Sequence, residues 1–278
     1  MVTQAIAMIG FGEAAQAFAG AAGWQQPARV FDIATTLPAT AAAKHADYTA
    51  TGVAGAATIA DAVSGANIVV CLVTADQTLA ATRAALPFVA PGSLWCDGNS
   101  VAPETKRAAA ALVTGRGGRY VDLAIMGPVH PARLSVPLLL AGPDAAAGNA
   151  ALATLGFTNR RIVAGEVGAA AAIKMLRSVI VKGTEALTAE AFAGAARAGL
   201  VDELLLALAG DWPARADYNL DRMLVHGARR AAEMDEVMAT LKGLGIDAAM
   251  SEATARWQRR LGCGIAPDGL IAKLETMA

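Results

Sequence analysis

A short glycine-containing segment near the start of the chain has the spacing of a phosphate-binding turn. The residues that follow an apolar run and open a helical pattern are Gly10-Phe11-Gly12-Glu13-Ala14-Ala15. Gly10 permits a tight turn, and Gly12 lets the backbone approach a pyrophosphate that any side chain would block. Ala15 is the smallest substitute for a third glycine where helix and strand pack closely. Free N–H groups at the helix N-terminus would bind the phosphates of a dinucleotide.

An acidic residue stands where the ribose of such a dinucleotide would lie. Asp32 ends the second predicted strand, 20 positions after Gly12 (32 − 12). A carboxylate there hydrogen-bonds the ribose 2′-hydroxyl and repels a 2′-phosphate, so NAD is favoured and NADP is the alternative cofactor. A strand–turn–helix without a ligand is the other interpretation. The predicted cofactor contacts are Gly10, Phe11, Gly12, Glu13, Ala14, Asp32, Val73, Thr74 and Asn99.

A lysine much later in the chain has the neighbours of an acid/base group. Ser178, Lys182 and Glu185 follow Lys174 at helical steps of four, four and three, so the four side chains share one stripe. Oxidation of an alcohol needs a partner for the hydroxyl proton, and a lysine desolvated at a cleft has its pKa lowered towards about 7–8. Spacing alone favours the alternative, a surface lysine paired with a carboxylate, because most lysines are solvated. For Lys182 the stronger alternative is a salt bridge with Glu185 or Glu190.

A second polar group lies on one face of a later helical segment. His226, Arg230 and Glu233 are spaced by four and three residues. A cationic stripe with one histidine could bind a substrate carboxylate or phosphate. The alternative is a solvated face on which Arg229 pairs with Glu233 or Glu236. His226 is retained as a substrate-binding candidate because its neighbours are mostly apolar.

Alternating strands and helices over residues 1–164 must position the glycine segment. The predicted strands are Ala5–Ile9, Ala28–Asp32, Asn67–Val73, Leu94–Asp97, Tyr120–Ile125, Val136–Ala141 and Asn159–Val163. The predicted helices are Ala14–Gly23, Ala39–Tyr48, Thr58–Ser64, Asp76–Pro87 and Pro103–Val113. This alternation predicts a Rossmann-type α/β domain with a mostly parallel sheet covered on both faces. Strand signals then vanish, and residues 165–278 are predicted to form an all-α domain that a long helix joins to the first.

Composition narrows the class of protein. Hydrophobic residues make up 55% of the 278 residues, much of it alanine, which favours close-packed helices. The net charge of −1, with both signs interspersed, argues against a nucleic-acid or acidic-membrane surface. No run reaches the roughly 18 apolar residues of a membrane span. Cys71, Cys96 and Cys263 form no paired motif, which predicts a reducing cytoplasm, and the histidines show no metal-ligand spacing.

Four segments together resemble the β-hydroxyacid dehydrogenase superfamily, which includes 6-phosphogluconate and 3-hydroxyisobutyrate dehydrogenases. The glycine segment is the first. The second, residues 95–103, is similar to the strand-end pattern D-x-S-T-x-x-P beside the nicotinamide, and the third, residues 122–128, aligns with the substrate loop D-A-P-V-S-G-G. The fourth, residues 168–178, resembles G-x-G-x-x-x-K-x-x-N-N. Its lysine, the catalytic residue of the family, falls on Lys174. The resemblance covers nearly the whole chain and is strongest to a 6-phosphogluconate dehydrogenase-like branch with its own C-terminal helical domain.

The resemblance also implies substrate contacts, several of which depart from the family pattern. Met126 replaces the usual serine, Pro128 replaces a glycine, and Arg177 and Ser178 replace two asparagines. The lysine is kept while its surroundings change, so the reaction type is implied and the family's best-known substrates are not. The predicted substrate-binding residues are Met126, Gly127, Pro128, Ser178, Lys182 and His226. The resemblance further implies a homodimer in which the partner completes each cleft.

The sequence therefore predicts an NAD(P)-dependent oxidoreductase that acts on the CH–OH group of a small hydroxy acid or a related alcohol. Lys174 would remove the hydroxyl proton in oxidation and donate it in reduction. One alternative is imine reductase-like activity on the same scaffold, although those enzymes generally lack a lysine at this position. The other is a dinucleotide-binding protein without catalytic activity.

Overall fold

The computed structural model describes residues 5–21, 24 and 27–277 as two compact units. Unit 1 comprises Met1–Lys174, and unit 2 comprises Met175–Ala278. The division falls ten residues after the predicted boundary at residue 164 (174 − 164), because it lies inside a long helix rather than before it.

One eight-stranded sheet forms the centre of unit 1. Its strands are β1 (Ile6–Ile9), β2 (Ala28–Phe31), β3 (Ala54–Gly55), β4 (Ile68–Cys71), β5 (Leu94–Asp97), β6 (Arg119–Ile125), β7 (Leu138–Ala141) and β8 (Arg160–Ile162). They lie in the order β3-β2-β1-β4-β5-β6-β7-β8. The first six are parallel, β7 is antiparallel to β6, and β8 is parallel to β7. The predicted mostly parallel sheet is confirmed.

The strand sequences explain why this sheet is covered on both faces. All four residues of β1, β4, β5 and β7 are buried, and all except Asp97 are apolar, as expected of strands with helices packed on both sides. Consecutive residues of β1 pack in different hydrophobic clusters. Met8 packs in the cluster with Phe18, whereas Ile9 packs in the cluster with Trp95. The two-residue β3 was not predicted, because it is too short to carry a pattern.

Helices connect the strands of unit 1. They are α1 (Glu13–Ala19), α2 (Ala41–Thr51), α3 (Ile59–Val63), α4 (Thr78–Ala85), α5 (Pro103–Thr114) and α6 (Ala145–Thr154). The predicted helix Ala14–Gly23 ends at Ala19, and its last two residues, Ala22 and Gly23, lie outside the described residues. The predicted helix Asp76–Pro87 is α4 flanked by single 3₁₀ turns. Helix α6 was not predicted.

Helices provide all the regular structure in the described part of unit 2. They are the remainder of α7 (Ala169–Ala198) with α8 (Val201–Leu208), α9 (Trp212–Gly243), α10 (Ala249–Leu261) and α11 (Leu270–Glu275). Met223 and Met234 of α9 are fully buried in two separate cores, as their helical spacing indicated. Among the described helices, none combines the length and the apolarity needed to cross a membrane. The predicted α/β domain followed by an all-α region is confirmed.

Candidate functional site

The carboxyl ends of the parallel strands bring most of the predicted site residues of unit 1 to one edge of the sheet. The chain runs outward from β1 through β2 to β3, then returns to the other side of β1 with β4. Such a reversal opens a crevice beyond the strand ends where α/β proteins bind ligands. The glycine segment follows β1, Asp32 follows β2, and Val73 and Thr74 follow β4. The edge between β1 and β4 is therefore the candidate cofactor site.

The two glycines of the first turn are needed for different reasons. Gly10 has a φ of +84°, and a Cβ placed there would lie 2.4 Å from the Leu72 carbonyl oxygen. Only glycine fits this close approach between the ends of β1 and β4. A Cβ on Gly12, by contrast, would meet no atom within 4 Å. The open space at the start of α1 fits the pyrophosphate of a dinucleotide.

Asp32 fixes the glycine turn as well as facing the crevice. Its Oδ2 accepts a hydrogen bond from the Phe11 N–H at 2.6 Å, and its Oδ1 accepts one from the Ala34 N–H at 2.8 Å. The carboxylate is thereby held at the end of β2. Each oxygen keeps a further lone pair that a ribose hydroxyl could use.

A polar clamp from helices α1 and α2 holds the other side of the Phe11 peptide. The Phe11 carbonyl accepts hydrogen bonds from Lys44 Nζ at 2.8 Å and Gln16 Nε2 at 3.1 Å. Both donors also contact Asp47 Oδ2, at 2.8 and 3.0 Å. The Phe11 ring is buried edge-on against Tyr48. The Phe11 side chain therefore packs the turn against the protein interior. Beside it, Glu13 is exposed and Ala14 is half-buried.

Asn99 joins the ends of two neighbouring strands. Its Oδ1 accepts a hydrogen bond from the Val73 N–H at 2.7 Å, and its Nδ2 lies 3.4 Å from Cys71 Sγ. The side chain is almost fully buried, whereas Val73 is half-buried and Thr74 exposed. Asn99 thus holds the segment after β4 at the crevice. Direct contact of Asn99, Val73 or Thr74 with a cofactor stays a prediction.

The predicted substrate loop follows β6 at the same edge. The Met126 N–H donates to the Pro137 carbonyl at 2.8 Å, which continues the β6–β7 pairing by one residue. The Met126 side chain is half-buried and packs in a small apolar cluster with Ala169 and Ala170, the first residues of α7. Gly127 is half-buried and Pro128 exposed. Met126 therefore lies beside the start of the helix that carries Lys174.

Lys174 reaches this edge from the second turn of α7. Its Nζ donates to Ser100 Oγ at 2.5 Å, and the amine-bearing side chain is half-buried. Ser100 follows β5 by three residues, in the segment similar to D-x-S-T-x-x-P. The sequence prediction missed Ser100 as a site residue, although that segment contained the signal. The pairing gives a basic amine and a hydroxyl at the carboxyl edge of the sheet.

A buried ionic cluster beneath this pair was also missed. Lys106 of α5 has no solvent exposure, and its Nζ lies 3.0 Å from Asp97 Oδ1 at the end of β5. Tyr120 donates its hydroxyl to Asp97 Oδ2 at 2.6 Å. Burial and the Asp97 charge both raise the pKa of Tyr120 well above its usual value, so this hydroxyl stays protonated. The cluster therefore joins strands β5 and β6 to helix α5.

In unit 2 the predicted partner of Lys182 is wrong. Lys182 forms its salt bridge with Glu233 of α9 at 2.8 Å, not with Glu185 or Glu190. The Lys182 amine also donates to Ser178 Oγ at 3.2 Å, and both residues are buried. Burial lowers the pKa of Lys182, while the Glu233 charge opposes that shift. Ser178 and Lys182 are thus an ordered buried pair.

The prediction that this face of α9 is solvated is wrong for Arg230 and right for Arg229. Arg230 is buried and forms a two-contact ion pair with Glu185 of α7, which also accepts from Gln258 Nε2 at 3.0 Å. Helix packing selects this pair, which sequence spacing cannot show. Arg229 does form the predicted pair with Glu233, at 2.5 Å, but only Arg229 is exposed and Glu233 is half-buried. His226 is half-buried, and its role in substrate binding stays a prediction.

The cysteines and histidines of the described residues form no metal centre. No group of three or more His, Cys, Asp or Glu side chains in that part of the chain could hold a metal ion. Cys71 and Cys96 are buried, and burial raises the pKa of each thiol to about 12. These two thiols are therefore poor nucleophiles and serve as small apolar core groups.

Family models match both parts of the chain. The NAD binding domain of 6-phosphogluconate dehydrogenase matches residues 5–168, which is more than half of the sequence. A domain of unknown function, DUF1932, matches residues 195–261. No curated protein matches the chain in sequence.

Solved structures match the chain over nearly its whole length. A conserved hypothetical protein from Sinorhizobium meliloti is 34% identical over 99% of this chain and 96% of its own, with a TM-score of 0.76. The conserved protein MTH1747, described as structurally similar to 3-hydroxyacid dehydrogenases, is 31% identical over 92% of this chain and 96% of its own, with a TM-score of 0.71. The 3-hydroxyisobutyrate dehydrogenase of Mycobacterium tuberculosis, solved with L-serine, is 20% identical over 99% of both chains, with a TM-score of 0.74. That last likeness concerns the fold alone.

The sheet order, the glycine turn and the family model together define an NAD(P)-dependent oxidoreductase. The chain belongs to the β-hydroxyacid dehydrogenase superfamily. The resemblance carried by the four sequence segments is thus confirmed.

Proposed function

We propose that this protein transfers a hydride between a nicotinamide dinucleotide and a small hydroxy acid or a related alcohol, with Lys174 as the general acid/base. The observation that carries the proposal is the 2.5 Å hydrogen bond between Lys174 Nζ and Ser100 Oγ at the carboxyl edge of the parallel strands. The Lys174 amine lies beside the crevice of the dinucleotide-binding sheet, and its hydrogen bond to Ser100 fixes its orientation. Such a group can exchange a proton with a substrate hydroxyl.

The residues that would hold the dinucleotide are those of the first two strand ends. The first turn of α1 offers its N–H groups to the pyrophosphate in the open space at Gly12, and the Asp32 carboxylate accepts from the ribose. When bound, the dinucleotide supplies or takes up the hydride. The fixed negative charge of Asp32 supports NAD over NADP.

The proton chemistry belongs to the chain itself. In oxidation the neutral Lys174 amine takes the hydroxyl proton as the C–OH group becomes a carbonyl. In reduction the ammonium returns a proton to the carbonyl oxygen. The ammonium has three donors, so one can stay with Ser100 while another faces the substrate oxygen. Ser100 thereby orients Lys174 in both directions of the reaction.

Met126 supports a less polar substrate than the best-known ones of the superfamily. Its half-buried thioether replaces a hydroxyl in the substrate loop and packs at the start of α7. A flexible apolar wall accommodates bulk rather than donating a hydrogen bond. We propose Gly127, Pro128, Ser178, Lys182 and His226 as further substrate contacts.

We also propose that the chain forms a homodimer through α7. Ile180 and Leu187 are 71% and 57% exposed on this helix, and Tyr218 of α9 is 57% exposed. Apolar side chains arranged along one helix are stabilised when a second subunit covers them. The molecular mass in solution, measured by light scattering, tests this proposal.

A substrate panel tests the proposed activity. Hydroxy acids, amino alcohols and aromatic alcohols are offered with NAD or NADP, and the absorbance of the reduced dinucleotide is followed. We expect turnover of at least one class. Reduction of cyclic imines but not of ketones would instead support the imine reductase alternative. Tight dinucleotide binding with no turnover of any class would support a non-catalytic protein.

A further inference from the structure

Backbone N–H groups at the start of helix α7 donate hydrogen bonds to a buried carboxylate of the sheet. Asp122 of β6 has no solvent exposure, and its Oδ2 accepts hydrogen bonds from three backbone N–H groups, those of Gly168, Ala170 and Ala171, at 3.0, 3.0 and 3.2 Å. These N–H groups are ones that a helix start leaves unpaired, and the negative charge complements the positive end of the helix. Lys174 follows Ala171 by three residues, so it stands on the next turn.

A buried cation holds the other side of this carboxylate. Lys106 Nζ lies 3.7 Å from Asp122 Oδ1, an oxygen that accepts no hydrogen bond within the described residues. The same amine donates to the carbonyl oxygens of Asp97 and Leu123, at 2.5 and 3.3 Å. One ammonium thus ties the ends of β5 and β6 together and sets the position of Asp122.

Close packing makes this arrangement rigid. Gly168 has a φ of +102°, and a Cβ placed there would lie 3.0 Å from Pro103 Cβ and 2.7 Å from a guanidinium nitrogen of Arg107. The start of α7 therefore touches the first turn of α5, the helix that carries Lys106. Any side chain at this glycine would push the two helix starts apart.

Stability alone gives little reason for such a cluster. Three buried charges are costly to desolvate, and well-packed apolar residues of similar volume often provide equal or greater stability. The charged contacts instead fix the positions of the helices relative to the strands, since each contact joins a defined atom of one strand to a defined atom of a helix. We infer that Asp122, held by Lys106, is a positioning residue that fixes the first turn of α7 and with it the Lys174 amine opposite Ser100. The inference rests on the proposed role of Lys174.

Asp122→Asn tests the inference, in the wild-type chain and in a Lys174→Ala background. Asp144→Asn is the matched control, because Asp144 accepts a partly exposed contact, from Arg119 Nε at 2.7 Å. We expect Asp122→Asn to lower kcat about 10-fold, since a displaced acid/base loses its alignment, with the NAD dissociation constant changed by less than about twofold. Because Asp122 acts through Lys174, the double variant should be no slower than Lys174→Ala alone. An equal fractional loss in both backgrounds would overturn the inference.

A second readout separates this inference from the proposed function. Acylation of Lys174 by a water-soluble amine reagent is followed by mass spectrometry in the chain without substrate. We expect Asp122→Asn to speed labelling of Lys174 severalfold while Asp144→Asn does not. Labelling that stays unchanged contradicts the inference. If Lys174→Ala retains full turnover while labelling changes as expected, the proposed function fails and the positioning stands.

Tyr120→Phe serves where Asp122→Asn does not fold. It removes one hydroxyl that donates to Asp97 at the far side of Lys106 and keeps the ring volume. We expect a smaller loss of kcat, again absent in the Lys174→Ala background. A loss of the same factor in both backgrounds would count against positioning.

Discussion

Two halves of one sheet edge are built in different ways. At β1 and β2 the site is made from backbone: a glycine turn, an open helix start and a carboxylate that accepts two N–H bonds. At β5 and β6 it is made from buried side-chain charges that anchor strand ends and the start of α7. The first half is defined by the space that it leaves open. The second half is defined by groups that fill space, so its variants should affect folding before they affect binding.

Loss of the buried cation should have the largest effect. Lys106→Met leaves Asp97 and Asp122 without their shared counter-charge, so the free energy of unfolding should fall by about 3–5 kcal/mol. Denaturant unfolding measures the change. Lys242→Met, at an exposed position in the last turn of α9, is the matched control and should have no effect beyond a few tenths of a kcal/mol. A fall in the free energy of unfolding as small as that of the control would show that the β5–β6 half of the edge does not depend on its buried charges for folding.

Gly10→Ala should come next, because the backbone of Gly10 is closely packed against the end of β4. The added Cβ meets the Leu72 carbonyl oxygen, and the positive φ is unfavourable for alanine. We expect about 2–3 kcal/mol of destabilisation. The same unfolding measurement applies. Unchanged stability would show that the end of β4 moves to accommodate the added Cβ, and that glycine is not required at this position.

Gly12→Asp should leave stability intact and remove binding. The side chain would enter empty space and is a favourable N-cap for α1, yet it places bulk and negative charge where the pyrophosphate would lie. We expect the dissociation constant of NAD to rise about 100-fold, or about 2.7 kcal/mol, at an unchanged melting temperature. Calorimetric titration measures it. Wild-type affinity in this variant would place the phosphates elsewhere.

Asp32→Ser should have the smallest effect, on the choice of cofactor. The wild-type carboxylate repels a 2′-phosphate, so NAD should bind at least about 10-fold more tightly than NADP. The serine hydroxyl can still accept from the Ala34 N–H, whereas the hydrogen bond from the Phe11 N–H and the negative charge are lost, so the two dissociation constants should converge. A wild-type preference for NADP would contradict the role given to Asp32.

The fold was predictable where burial produces a pattern. Apolar runs such as β4 identified the central strands, because a strand covered on both faces is largely apolar. The edge strand β8 was also predicted, although its sequence is Arg-Arg-Ile and its residues are half-buried or exposed. Helix α6 was missed since its alanine-rich sequence, residues 145–154, has no distinct apolar face. The apolar stripe of α7 did predict a helix. It could not predict that Ile180 and Leu187 are exposed, because exposure depends on what packs against the helix.

The site was predictable where a backbone motif defines it. Gly10, Gly12 and Asp32 are recognisable because their spacing follows from one strand–turn–helix unit. Lys106 gave no such signal, since a lysine between polar residues of a helix is normally solvated. Its burial depends on Asp97 and Asp122, which come from two other elements. The Lys182 partner was wrong for the same reason, because Glu233 lies on a different helix.

The proposed function depends most on the exchange of the substrate proton by Lys174. The most direct test is the turnover of Lys174→Ala with saturating dinucleotide, beside Lys242→Ala as the control for loss of an exposed lysine. We expect a fall of about 10² or more in kcat, with the NAD dissociation constant within about twofold of wild type. Turnover equal to that of Lys242→Ala would contradict it.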